Sequence, residues 1–198
     1  APAQMRQASG RMTRRDAGDR LFIALLFDEG TKDRLCGAME YLVSHLRGGH
    51  ATGRENLHLT LAFLGETERG AEVRRAMDAA MGPAFDYKIR GSGRFSRGDG
   101  SVLWAGIAAP EELYRLYGRL AAALAERGFR LEERPFKPHL TLGREAATDE
   151  SFDPAEMEKF LPETPLHAGK ISLMKSERAG GKLVYTEIYS VQLTEKEA

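Results

Sequence analysis

The sequence predicts an α+β protein of two pseudo-symmetric lobes, each an antiparallel sheet with helices on its outer face, facing each other across a cleft. Three observations lead there. The phrase His58-Leu59-Thr60-Leu61 returns as His139-Leu140-Thr141-Leu142. Stretches with the two-residue period of strands alternate with stretches at the three- and four-residue steps of helices. Finally, 36 residues separate Phe22 from His58 and likewise Leu103 from His139. The two phrases are therefore equivalent parts of related halves, roughly 20–97 and 101–193, expected to pack intimately as one domain over 20–198. Their offset of 81 residues is too long for a solenoid repeat.

Each element has its own signal. Residues 1–19 are polar and arginine-rich with no apolar segment, and read as a flexible tail. Arg20 to Phe27 is continuous enough for a strand buried on both faces. From Thr31 to Leu46, the spacing of Leu35, Met39, Leu42, Val43 and Leu46 predicts an amphipathic helix, closed by Gly48-Gly49. The first phrase forms a strand over 57–64, ended by Gly65. Val73, Met77 and Met81 align in a helix over 69–81, stopped by Gly82-Pro83. Residues 85–95 are extended but weakly patterned, and a turn at 98–100 leads to a strand over 102–107. Pro110 opens a helix to Arg127, with Leu113, Leu116, Tyr117, Leu120 and Leu124 on one face and Gly128 as its cap. The second phrase is a strand over 138–144. Asp153-Pro154 starts a short helix through Phe160, and strands over 170–176 and 183–193 meet in a hairpin at Gly180-Gly181.

Composition narrows the class of function. Lys plus Arg and Asp plus Glu both number 29, so the formal charge is zero. That argues against broad, unspecific coating of nucleic acid and leaves room for a local basic patch. No apolar run is long enough to span a membrane. The single Cys36 can form neither an internal disulfide nor a cysteine metal cluster. It reads as a small hydrophobe on a helix, and a reducing, cytoplasmic setting and a monomer are expected.

The repeated phrase carries the chemistry. In a strand, His and Thr share one face while the leucines point into a core. Histidine holds or releases a proton near neutrality, so a pair divides the work into general acid and general base. A threonine hydroxyl two residues on donates to a non-bridging oxygen, and two such donors with an arginine suit a phosphodiester. Arg144, three residues after Thr141, supplies that charge. No Gly-rich nucleotide loop and no H-E-x-x-H spacing accompanies the phrases, which favours metal-free, cofactor-free phosphoryl chemistry. Taken singly, each His is a sheet histidine, each Thr an ordinary strand residue and Arg144 a solvated strand end; the repetition favours the functional reading. His45, His50 and His167 lack partners at suggestive spacing and are assigned to surface or loops, and Trp104 to the core. Lys88, Arg90, Arg94 and Arg97 either line an RNA path or form a solvated edge strand.

These residues resemble the paired signatures of a known family. His58-Leu-Thr-Leu-Ala-Phe-Leu-Gly65 and Arg134-Pro-Phe-Lys-Pro-His139-Leu-Thr-Leu-Gly-Arg144 are similar to those of the 2H phosphoesterases. More narrowly, they resemble the bacterial and archaeal RNA 2′,3′-cyclic phosphodiesterases, once described as 2′–5′ RNA ligases. The resemblance extends to Arg20-Leu-Phe-Ile-Ala, Glu55-Asn-Leu, Leu103-Trp-Ala-Gly106, Ser172-Leu-Met-Lys-Ser176 and Tyr185. It implies metal-independent hydrolysis of a terminal 2′,3′-cyclic phosphate to a 2′-phosphate, acting on RNA ends or nucleotide cyclic phosphates. Carried over, His58 is the proton donor and His139 the proton acceptor, though the sequence leaves the reverse assignment open. Thr60 and Thr141 hold phosphate oxygens, and Arg144 contacts the phosphate. Phe136 is the aromatic offered for base stacking, whereas Phe63, by alternation, faces away from His58 into the core. Residues 49–54 depart from the family, whose members commonly carry a bulky Trp or Val there; this reshapes the edge of the cleft. The alternatives are an enzyme on small cyclic phosphates or 2′–5′ linkages, running ligation in reverse, and a non-catalytic RNA- or nucleotide-binding module.

Overall fold

Alternation of burial along the strands builds the molecule in two layers. The structure, a computed structural model, describes residues 18–98 and 100–195. The tail expected over 1–19 therefore lies, up to residue 17, outside the described residues, as does Asp99 of the turn at 98–100. In chain order the elements are β1 (Asp19–Leu26), α1 (Glu29–His45), β2 (Leu46–Ala51), a 3-10 turn (Arg54–Asn56), β3 (His58–Thr67) and α2 (Gly70–Ala79). Then follow β4 (Phe85–Arg97), β5 (Gly100–Ala108), α3 (Glu111–Glu126), β6 (His139–Thr148), α4 (Pro154–Glu158), β7 (Leu166–Ala168), β8 (Lys170–Ala179) and β9 (Lys182–Gln192). The α+β class is the one predicted.

The helices start and stop where backbone groups find partners. Asp28 caps α1, its side chain accepting from the Thr31 backbone N–H at 2.7 Å, so the helix begins two residues before the predicted start. Asp153 caps α4 in the same way through Ala155 at 2.9 Å, with Pro154 in the first turn. Gly128, at φ +79°, takes the left-handed turn that ends α3. Leu35 and Leu42 of α1, Val73 and Met77 of α2, and Leu113, Leu116, Leu120 and Leu124 of α3 are buried in one core. They pack there with Leu21, Ile23 and Leu25 of β1, Leu59 and Leu61 of β3, and Leu140 and Leu142 of β6. The helices thus cover the leucine face of the sheet and leave the His-Thr face open.

The strands, expected as two separate facing sheets, are hydrogen-bonded in one path: β7-β4-β5-β6-β3-β1-β8-β9, with β2 also paired to β6. Every pairing in it is antiparallel. The central seam, β3 with β6, is a single pair, Leu59 opposite Leu140. The fourth strand of each sequence half pairs outside its own half: β4 pairs with β5, and β8 pairs with β1. Two strands go beyond the sequence reading. The segment after α1, read as a glycine stop, is β2; β7 adds three residues at the far edge. β2 was hidden because its glycines carry no alternation, and its pairing along β6 holds it in place.

Candidate active site

The seam assembles the two phrases. Leu59 and Leu140 are fully buried and face each other. Extending that antiparallel register by one residue either way sets His58 against Thr141 and Thr60 against His139, all four on the face opposite the leucines. The β3–β6 ladder stops there, and all four residues are half-buried. Around this quartet each neighbouring strand sets a residue by register: Gly106 lies opposite His139 and Trp104 opposite Thr141, while Ala24 lies opposite Thr60.

Both imidazoles are held the same way. His58 Nδ1 donates to the Asn56 carbonyl at 2.7 Å, and His139 Nδ1 donates to the Lys137 carbonyl at 2.7 Å. A carbonyl only accepts, so each neutral ring keeps its proton on Nδ1 and presents the Nε2 lone pair to the cleft. His58 Nε2 lies 2.8 Å from Thr60 Oγ1. Asn56 is itself tied down, its side-chain N–H donating to the Leu183 carbonyl of β9 at 2.9 Å.

Each histidine sits in an aromatic box. Phe22 lies 4.8 Å from the His58 ring and Tyr185 5.3 Å, the latter edge-on. Phe95 lies 5.2 Å from the His139 ring, and Trp104 6.3 Å. Burial pushes the His58 pKa down to about 4; the Asn56 carbonyl opposes this, and positive charge at Arg144 and His139 adds to the lowering. His139 is lowered too, by burial first, against the Lys137 carbonyl, with Arg144 and Lys137 contributing. Both rings are neutral at pH 7, and the field of Arg144 reaches both.

Arg144 reaches that field through a β-bulge. Along β6, Thr141 faces Trp104 but Gly143 faces Leu103, so β6 carries one extra residue at Leu142. Leu142 and Gly143 both turn inward, Gly143 lying against Leu42 of α1, and the next residue, Arg144, emerges on the histidine face. A second bulge follows at once, with Glu145 at φ +49°. The first half repeats the device: Thr60 faces Ala24 but Ala62 faces Ile23, and the following Phe63 lies opposite Phe22. Phe63 is the positional counterpart of Arg144.

Three sequence expectations change as a result. Phe63 is not in the core but 48% exposed on the histidine side, with the Arg20 guanidinium 4.8 Å from its ring centre, because the bulge at Leu61 inverts the alternation. Trp104, also assigned to the core, forms the floor beside His139, its ring lying on Gly93, where any Cβ would sit 2.1 Å from it. Phe136, offered for base stacking, has one ring face taken up. It shares the parity of buried Pro138 and Leu140, and stacks 4.1 Å from Tyr117 of α3 with planes 5° apart. The aromatics that do surround the quartet, Phe22, Tyr185 and Phe95, were missed: they come from β1, β9 and β4, and only the strand order brings them here.

The other three histidines take no part in the quartet. His45 closes the end of α1 through Asp149 at 3.0 Å, His50 sits in β2 opposite Arg144, and His167 bridges Asp86 and Glu195 at 2.8 and 2.9 Å on the far edge. Among the described residues no group of three or more His, Cys, Asp or Glu is placed to hold a metal ion, and no helix is long and apolar enough to cross a membrane.

A sequence profile described as the 2′-5′ RNA ligase superfamily matches residues 32–180. The chain belongs to this family. Its relatives include the RNA 2′,3′-cyclic phosphodiesterase of Thermotoga maritima, 28% identical over 178 residues, spanning 87% of this chain and 95% of the relative. The phosphodiesterase of the same name from Methanothermobacter thermautotrophicus is 31% identical over 182 residues, spanning 85% and 96%. Among solved structures, apo LigT of E. coli superposes with a TM-score of 0.70 at 29% identity, covering 89% of this chain and 98% of LigT. TT0787 of Thermus thermophilus gives 0.72 at 28% identity, covering 90% and 100%.

Proposed function

We infer that this protein is an RNA 2′,3′-cyclic phosphodiesterase that opens the terminal cyclic phosphate to a 2′-phosphate. The observation that carries the reading is the Leu59–Leu140 pair, which lays two His-x-Thr units on one open face with both Nε2 atoms turned to the cleft. The relatives' shared activity supports it.

In this reading Thr60, Thr141 and Arg144 bind the non-bridging oxygens of the cyclic diester. His139 Nε2, neutral and the less deeply buried, takes a proton from a water in line with the P–O3′ bond. As the new P–O bond forms, the P–O3′ bond breaks and His58 Nε2–H protonates the departing O3′. The product is a 2′-phosphate with a free 3′-hydroxyl, and solvent restores the two protonation states. The free site does not supply the acid's proton, since His58 is neutral there. The bound diester anion offsets the positive charge of Arg144 and raises the His58 pKa, so that His58 Nε2 takes up its proton from solvent as the substrate binds.

The test is hydrolysis of an oligonucleotide ending in a 2′,3′-cyclic phosphate in the presence of EDTA. Turnover that survives the chelator is expected; binding without turnover would make the protein a binding module. Roles are separated by a nitrophenyl diester, whose leaving group needs no proton. It should restore turnover to His58→Ala and not to His139→Ala, and the opposite pattern would exchange the two roles.

A further inference from the structure

The two sides of the cleft differ in charge. On the His58 side the floor is apolar: Phe22, Ala24 and Met174 are buried together, with Leu26 and Tyr185 against them. The cations beside it are Lys170, held by Glu187 at 2.9 Å, and Arg20, whose guanidinium lies over the Phe63 ring. On the His139 side, Ile89 of β4 is buried against Ile107, which turns Lys88 to the opposite face, the one that carries His139, and Arg90 is exposed at the bulge that follows Ile89. Lys88 lies opposite Ala108, two residues from Gly106, and Gly106 lies opposite His139. Lys137, two residues before His139, extends its ammonium over Trp104 at 5.0 Å and Phe95 at 5.3 Å. Lys88, Arg90 and Lys137 are exposed, and none has a carboxylate within ion-pair distance among the described residues.

Gly106 joins these cations to the reacting centre. A Cβ there would sit 2.4 Å from the Arg90 carbonyl, so β4 and β5 are drawn together at Gly106, directly opposite His139. With strands about 4.8 Å apart, the Arg90 backbone is roughly 10 Å from that of His139, within reach of a phosphate that precedes the reacting one.

We propose that the RNA chain leading to the cyclic phosphate runs across the β4–β5 side of the cleft, its internal phosphates on Lys88, Arg90 and Lys137, so that the substrate is an oligonucleotide end rather than a mononucleotide. This rests on the phosphodiesterase reading of the same site. Phosphate contacts of this kind are independent of base sequence and weaken with salt.

The experiment compares a cytidine 2′,3′-cyclic phosphate with a hexanucleotide bearing the same terminus, in the wild type and in a Lys88→Gln/Arg90→Gln variant. The wild type should prefer the hexanucleotide in kcat/KM. The double variant should lose about tenfold on the hexanucleotide through KM, and its salt dependence should become shallower by about 1.4 in log–log slope, the share of two phosphate contacts on a single strand. A wild type with no preference for the longer substrate, or a variant that keeps both preference and slope, would overturn the path while leaving cyclic-phosphate hydrolysis intact. Absence of turnover on both substrates would instead overturn the phosphodiesterase reading. Fluorescence anisotropy of a labelled hexanucleotide 2′-phosphate then still decides the path, equal affinity in wild type and variant counting against it.

Discussion

His58 and His139 are alike in residue type and unlike in cost. A ring whose pKa falls from its ordinary value to about 4 is bound neutral by the fold. The unfolded chain then takes up a proton that the native state refuses, so the stability His58 contributes is complete above pH 6.5 and is lost as the pH falls towards 4. The amount is on the order of 3 kcal/mol. Thermal melts between pH 7 and pH 4 should show this loss, and His58→Gln should flatten it. Titration of the ring protons by NMR should place His58 below His139, and Arg144→Ala should raise both, because the guanidinium acts on each. In turnover, His58→Ala and His139→Ala should each cost ~10²–10⁴-fold. Thr60→Ala and Thr141→Ala should cost less, about 10–100-fold, since each removes one hydrogen bond to a charged oxygen rather than a proton path. Steady-state kinetics on the cyclic phosphate measure all four.

The bulges in β3 and β6 explain why simple alternation misplaced Phe63 and why it would also have buried Arg144. A period of two predicts faces only while neighbouring strands keep step, and an extra residue at Leu61 or Leu142 is invisible until the partner strand is known. The His-Leu-Thr cores come before the bulge, which is why their orientation was legible. Helices were legible for a different reason: their period and caps are local, so α2, α3 and α4 lie within a few residues of prediction. The second bulge in β6 is clasped by β2. A Cβ on Gly49, at φ +78°, would sit 2.3 Å from the Glu145 carbonyl, whereas one on Gly48 would meet nothing closer than 3.7 Å. Gly49→Ala should therefore destabilise by at least ~1–2 kcal/mol and Gly48→Ala by far less; urea melts of the two variants compare them directly.

The two related halves do not close on themselves. β8 completes the sheet beside β1, and β4 completes it beside β5, while at the centre the halves meet in the single β3–β6 pair, Leu59 with Leu140, and in β2 along β6. Each half thus leaves a strand edge that the other must cover. Fragments 18–98 and 100–195 produced separately should remain unfolded by circular dichroism, and mixing them should restore the native spectrum; a stable isolated fragment would show that the exchange is dispensable. The arrangement also sets the cleft's asymmetry, since β4 brings Lys88, Arg90 and Phe95 to the His139 side and β9 brings Tyr185 to the His58 side.

Local order alone specified the α+β class, the helices with their caps, and the pairing of His with Thr on one strand face, because each depends on residues a few positions apart. The family resemblance was legible for the same reason, being carried by short contiguous phrases. Only the tertiary structure decided that the strands form one path, that Phe63 and Arg144 turn outward, that Trp104 lines the cleft, and that Phe136 packs on Tyr117. Those outcomes depend on which strand lies next to which and on where a ladder slips by one residue. They are properties of pairs of segments dozens of residues apart, and no single segment contains them.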